Sequence, residues 1–379
     1  MIRSLISVFV FISLIAASQA SPIPPAPSLN VKAYVVLDFD SKMILASSNK
    51  DLTLPPASIT KMMTAYVAFT ELKEKNISLD EEILVSKKAW KTGGSKMFIE
   101  VGKRIKVRDI LQGVITVSGN DASVALAEHI SGDEKTFSTY MNQMATNLGL
   151  SNTNYTNSTG LPSDSLYTTA EDISILSRAL IAEFPDLYKL YSTKSFEFNE
   201  IKQYSRNKLL FVDDNVDGIK TGFTKAAGYC LASSAKRGSR RLIAVVMGAP
   251  TPDVRIQASR TLLEYGFRFF ETHTLFKRNI AISTARVYSG EETEIKFGVN
   301  EDAKVTIPRR QKKNLKYEYI VDRQLTAPIK QNQTIGFMHV KLKDKIIQTY
   351  KLTALEDINQ GCLLYTSDAA DEEDSVDLG

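Results

Sequence analysis

Apolar positions crowd most densely at residues 58–72, where Ile59, Met62, Met63, Ala65, Tyr66, Val67, Ala68, Phe69 and Leu72 leave almost no polar face on a helical wheel. A helix of that kind is buried on all sides. Pro55 and Pro56 bar an earlier start, so Ser58 is expected at the helix N-terminus. Before it, alternating segments at 31–37 and 43–46 flank a polar stretch and predict a β-hairpin. After it, helical spacing marks 107–117, 121–130 and 137–148, and Thr169 with Asp172 opens a further helix to Phe184 as a capping box. From Gly218 the period switches to two. Segments 229–235 and 242–248 predict strands around a turn at 236–239, and 253–270 predicts a helix packed on that sheet.

Near Phe276 the pattern changes again. Short alternating runs at 280–282, 294–297, 304–307, 317–321, 335–342 and 346–352 recur between polar turns and predict a small all-β module. The basic run Arg309-Arg310-Gln311-Lys312-Lys313 reads as a solvated loop or edge, or as a contact for an anionic partner. A length of 379 residues with 43% hydrophobic content accommodates one large domain and a smaller one. There is no internal repeat and no phosphate loop, and no nucleic-acid partner is expected.

The two ends stand apart from this pattern. Met1-Ile2-Arg3, an apolar run at 5–17 and Ser18-Gln19-Ala20 predict a secretory leader at 1–20, cleaved after Ala20; the run is short for an uncleaved anchor. A Pro-rich leader follows at 21–28. Residues 361–379 contain six acids and no base, and resemble the translation of a sequencing adapter rather than an acidic disordered tail. Without that tail and the leader, the chain is more basic than its formal +4, which suits an anionic envelope. Only Cys230 then remains, so no intramolecular disulfide, no metal site and no cofactor is expected, and Cys230 reads as core.

Chemistry enters with Lys61, one helical turn beyond Ser58. A lysine on a buried helix is costly to desolvate unless something pairs or uses it. A dry amine can take the proton of a serine hydroxyl. Alone, the pair reads rather as a capping serine and a lysine reaching the surface. Two further triplets follow in order, Ser118-Gly119-Asn120 and Lys220-Thr221-Gly222. Ser118 could relay a proton to a leaving amine, and Asn120 could hold a substrate amide. Lys220 and Thr221, placed at the start of a strand, offer a cation and a hydroxyl to a carboxylate. Gly222 lets a substrate backbone approach the strand edge. The backbone N–H groups of Ser58 and Phe223 would form an oxyanion hole.

With Ala125-Leu-Ala-Glu128, Ala227-Gly-Tyr229 and Gly266-Phe-Arg-Phe-Phe270, the three triplets resemble the serine-type D-alanyl-D-alanine carboxypeptidases, the low-molecular-mass penicillin-binding proteins. The resemblance runs from about Leu29 to Gln360. It implies an α/β transpeptidase-like domain at 29–275, with helices around a mainly antiparallel sheet, and a β-rich C-terminal domain at 276–360. It implies Ser58 as nucleophile, Lys61 as base, Ser118 and Asn120 as relay and substrate contact, and Lys220, Thr221, Gly222 and Phe223 as substrate binding. Arg255 matches the family's carboxylate-binding arginine, or else forms a surface ion pair. The implied reaction is removal of the terminal D-alanine from peptidoglycan stem pentapeptides, with inhibition by β-lactams. A D,D-endopeptidase, a β-lactamase and a non-catalytic wall-binding protein are the alternatives. The implied location is the periplasm, peripheral on the inner membrane. Two departures stand out: Phe223 replaces a commonly polar residue, and the tail occupies the place of an amphipathic membrane anchor.

Overall fold

The computed structural model describes residues 24–361. The expected leader at 1–20 and the tail from 362 lie outside the described residues. Five antiparallel strands form the central sheet, in the order Ile44–Ser48, Ala33–Asp38, Arg240–Ala249, Gly228–Arg237, Val216–Thr224. The period-two pattern serves two cores at once. Ala33, Val35, Leu37, Ile243, Val245 and Met247 face one; Tyr34, Val36, Leu242, Ala244 and Val246 face the other. Because both faces are covered, these strands read as continuous apolar runs. Pro252–Phe269 packs on the second face, while Ala170–Glu183 and the helical half of the domain cover the first.

At the centre of that helical half lies Lys61–Glu74, buried without a break from Lys61 to Phe69. The expected helix start at Ser58 is corrected in one respect: Ala57–Thr60 forms a 3-10 turn and the α-helix begins at Lys61. Ala57 has φ +49°, a left-handed conformation that no helix continues through, so the chain enters by a tight turn in which Ile59 N–H donates to the Pro56 carbonyl. Thr169 caps its helix as expected, accepting from Asp172 N–H at 3.1 Å. The Asp172 carboxylate accepts instead from Asn152 N–H and the Thr153 hydroxyl, so only half of the capping box forms. Between Gly228–Arg237 and Arg240–Ala249 the turn shrinks to Gly238-Ser239, with Gly238 at φ +60°.

A strand absent from the sequence reading, Phe270–Phe276, follows the Pro252–Phe269 helix at once and pairs with Ala303–Pro308. A six-stranded sheet completes the β-rich module around its own core. Residues 280–282 do not form the expected strand; Ile280 is exposed, and pairing starts at Ser283–Tyr288. Arg309, Arg310, Lys312 and Lys313 are exposed between strands. No described helix is long and apolar enough to cross a membrane.

A buried carboxylate joins the two halves. Asp38, at the end of its strand, is 1% exposed. Its Oδ1 accepts from Ser41 N–H and the Ser41 hydroxyl, and its Oδ2 from the Thr272 hydroxyl at 2.7 Å and Arg240 Nη2 at 3.2 Å. Thr306 of the β-rich module bonds both Ser41 and Thr272. Removing one member of a buried charged network leaves the rest unpaired. We therefore expect Asp38→Ala to lose about 3–5 kcal/mol in a denaturant titration, with the β-rich module loosening first by hydrogen exchange; a loss within 0.5 kcal/mol would mean that the junction is held elsewhere.

Candidate active site

The 3-10 turn presents Ser58 beside Lys61, whose Nζ lies 3.3 Å from the Ser58 hydroxyl oxygen. Lys61 is 1% exposed, so it does not reach the surface, and Ser58 does not cap the helix through its side chain. Two further partners surround the amine: Asn120 Oδ1 at 2.6 Å and the Thr159 carbonyl at 2.6 Å. Both are acceptors. A neutral amine has two N–H groups and one lone pair, so those two acceptors consume the N–H groups and leave the lone pair for the Ser58 proton. Burial holds Lys61 well below the ordinary ammonium range, and the Lys220 cation pushes it further down.

Asn120 is oriented from its other end, where its Nδ2 donates to the Gly93 carbonyl at 2.7 Å and its backbone N–H donates to the Ser95 carbonyl. The 93–99 loop is pinned in turn by Asp121. This carboxylate, 1% exposed, accepts from the backbone N–H groups of Met97, Phe98, Ile99 and Ala122. On the far side, Glu134 accepts from Ser158 N–H and hydroxyl, and the Thr64 hydroxyl donates to the Ser158 carbonyl, which sets the neighbouring Thr159 carbonyl over Lys61. Thr159, Asp121 and Glu134 were assigned no role from the sequence. A backbone carbonyl has no identity, and the two acids act on loops far away in the chain.

Ser118 sits at φ +63°, a strained position for a non-glycine residue, and is 2% exposed. Its hydroxyl accepts from Lys220 Nζ at 2.9 Å. Lys220 and Thr221 lie within Val216–Thr224 rather than at its start, on the outermost strand of the sheet. Burial first, then the cations Arg206 and Arg255, depress Lys220 to about 7. Gly222 runs against the nucleophile turn: a Cβ there would stand 2.9 Å from the Pro56 carbonyl and 3.2 Å from Ser58 N. Phe223 is half-exposed and stacks on Tyr229 at 4.2 Å.

Arg255 is not a surface ion pair. It is 7% exposed, its guanidinium lies 5.8 Å from the Tyr229 ring centroid, and its Nε has no hydrogen-bond partner among the described residues. Arg206, which the sequence reading did not single out, is close enough to depress both lysines. Asn207 ties that loop to the strand by donating to the Gly218 carbonyl. The two arginines therefore add positive charge around Lys220. Cys230 is fully buried and its thiol is pushed up to about 11 by burial, as expected of core. Among the described residues, no group of three or more His, Cys, Asp or Glu side chains could hold a metal ion.

A buried serine–lysine pair, a strained serine bonded to a second lysine and a glycine strand running past the nucleophile turn form one connected site. The profile of the D-alanyl-D-alanine carboxypeptidase family, peptidase S11, matches residues 18–251. The chain belongs to this family. A second profile, the C-terminal domain of penicillin-binding protein 5, matches residues 270–360. Family members include D-alanyl-D-alanine carboxypeptidase DacC of Escherichia coli, to which the chain is 42% identical over 94% of its own length and 91% of that protein's. Similarity to DacA of Haemophilus influenzae is 41% identity over 88% and 86% of the two chains. The crystal structure of penicillin-binding protein 5 from Haemophilus influenzae matches with a TM-score of 0.86 at 40% identity, covering 89% of this chain and 100% of that one. Penicillin-binding protein D2 of Listeria monocytogenes, solved in its ampicillin-bound form, matches with a TM-score of 0.59 at 31% identity over 64% of this chain. The transpeptidase-like fold with an all-β C-terminal region is the one shared with the penicillin-binding protein 5 structure, whereas the whole D2 chain is covered by 64% of this one.

The Asp121 clamp leads to a prediction. Asp121→Ala leaves four N–H groups, three of them buried, without their acceptor and should cost about 3 kcal/mol of stability. It should also slow acylation of Ser58 by a β-lactam about tenfold, because Asn120 then loses its seat. Stopped-flow acylation checks this, and an unchanged acylation rate would show that the loop does not position Asn120.

Proposed function

We propose that this chain removes the terminal D-alanine of peptidoglycan stem pentapeptides by way of an acyl-enzyme on Ser58. The observation that carries this reading is the desolvated Lys61 amine beside Ser58, with its two N–H groups already committed. Lys61 takes the hydroxyl proton as Ser58 Oγ attacks the carbonyl of the penultimate D-alanine. The backbone N–H groups of Ser58 and Phe223 receive the oxyanion. As the tetrahedral intermediate collapses, Ser118 passes its proton to the leaving amine of the terminal D-alanine and takes one in return from the Lys61 ammonium, which restores the neutral base. Lys220 supports that transfer by donating to the Ser118 oxygen, which leaves the hydroxyl proton free to point elsewhere. Lys220, Thr221 and Arg255 meet the terminal carboxylate, with Arg206 adding positive potential. Water then hydrolyses the ester, again with Lys61 as base. Gly222 lets the substrate backbone lie along the strand, and Asn120 holds its amide.

A β-lactam would acylate Ser58 in the same way. The carboxylates that act electrostatically on Lys61 are both occupied, Asp121 by backbone N–H groups and Glu134 by Ser158 and the Lys88 ammonium. Neither is free to activate a water against a stalled ester, which favours a slowly released penicillin adduct over β-lactamase activity. We further propose an exported protein whose leader is cleaved after Ala20, acting in the periplasm at the membrane surface through a C-terminal anchor, with units at 29–275 and 276–360.

Two experiments test this reading. Mass analysis of a pentapeptide reaction should show loss of one alanine with wild type and none with Ser58→Ala or Lys61→Ala; turnover by Ser58→Ala would refute the nucleophile. The pH profile supplies the second. Lys61 must be neutral and Lys220 charged, and both are depressed, so acylation rises as Lys61 loses its proton and falls above about 7 as Lys220 loses its own. The second-order rate of acylation by penicillin should be bell-shaped, and Lys220→Ala should lose the falling limb. A steady rise to pH 10 in wild type would contradict it.

A further inference from the structure

Next to the nucleophile turn lies a cavity of about 440 Å³ that none of the steps above uses. Its walls include Leu54, Pro55, Pro162, Leu166 and Tyr167, and it reaches Thr224 at the end of the outermost strand. Of the residues lining it, Asp164 alone carries a charge, and Asp164 is exposed. An apolar trough with one acid at the rim suits an aliphatic chain ending in an ammonium group.

The cavity is preformed. Gly160, at φ +82°, packs so tightly on the nucleophile turn that a Cβ would stand 1.8 Å from the Ala57 carbonyl. Asn157 Oδ1 accepts from Thr159 and Gly160 N–H, and its Nδ2 donates to the Leu161 carbonyl. The wall is closed by reciprocal backbone bonds between Leu54 and Thr168.

Its position follows from strand direction. On the Ser58 reading the terminal carboxylate meets Lys220 and Thr221, and the acylated carbonyl lies at Ser58, which Gly222 adjoins. A substrate strand antiparallel to Val216–Thr224 then runs its upstream residues toward Thr224, about 7 Å beyond Gly222. The next residue of the stem peptide therefore arrives at the mouth of the cavity.

We propose that this cavity receives the side chain of the residue preceding the two alanines, and that Asp164 selects one ending in a free amine. The proposal rests on the Ser58 reading and adds a residue that sets substrate preference. The test uses two pentapeptides alike except at that residue, one a diamino acid with its side-chain amine free, the other with that amine acetylated. The ratio of their kcat/KM values is measured within each enzyme, so each variant is its own control. Wild type should favour the free amine about threefold at low salt, as an exposed ion pair allows, and less at high salt. Asp164→Asn should bring the ratio to one, Asp164→Lys should invert it, and Asp164→Glu should keep it. No preference in wild type, or one that survives in Asp164→Asn, overturns the assignment. Labelling of wild type by fluorescent penicillin at Ser58 separates the two readings: labelling without a peptide preference sinks only the cavity assignment, whereas no labelling sinks the Ser58 reading itself.

Discussion

An amine with almost no access to water stands 3.3 Å from a serine hydroxyl, and much of the chain serves to keep it there. Charged, Lys61 would bear the full cost of desolvation together with repulsion from Lys220. Neutral, it finds two acceptors and one donor, which is what a lysine without its third proton can satisfy. The buried helix dries the site, the Asn120 and Thr159 oxygens orient the amine, and the cations around Lys220 keep its proton away. No one of these suffices, because a dry amine pointing elsewhere would be inert and an oriented amine in water would be an ammonium.

The same constraint explains the architecture around it. The nucleophile turn cannot be reached by a regular helix, so the chain enters through Ala57 in a left-handed conformation and a 3-10 turn. Gly222 is needed because the outermost strand passes within contact distance of that turn. The acids nearest Lys61 hold loops rather than protons. Asp121 clamps the 93–99 loop over Asn120, and Glu134 fixes Ser158 beneath the Thr159 carbonyl. Carboxylates engaged in this way, Asp121 by backbone N–H groups and Glu134 by Ser158 and Lys88, are rigid supports.

Much of this was legible in the order of residues. Ser58 and Lys61 announce themselves because a lysine has no cheap place on an all-apolar helix, and the triplets at 118–120 and 220–222 mark the groups that complete the site. Four of the five sheet strands and the helices packed on them follow from periodicity, and the triplet at 220–222 marks the fifth. What stayed hidden depends on chain closure. The Thr159 carbonyl, the Asp121 clamp and Arg206 come from loops far from the nucleophile in sequence. Asp38 looked like a turn residue in the first hairpin, yet it anchors the junction to the β-rich module through Thr272 and, beyond it, Thr306. Arg255 was open between two roles because its spacing says nothing about depth; its burial against Tyr229 removes the surface ion pair. The three-residue strands Glu82–Leu84 and Arg104–Lys106 are too short for an alternation to register.

Everything turns on the protonation state of one side chain, and that can be read without substrate. Lysine labelled at Cε and Nζ, assigned with Lys61→Arg, can be titrated by NMR in the free enzyme. Lys61 should lose its proton well below the exposed lysines, with Lys220 titrating near 7. A Lys61 resonance that remains an ammonium up to pH 10 would contradict the account at its base.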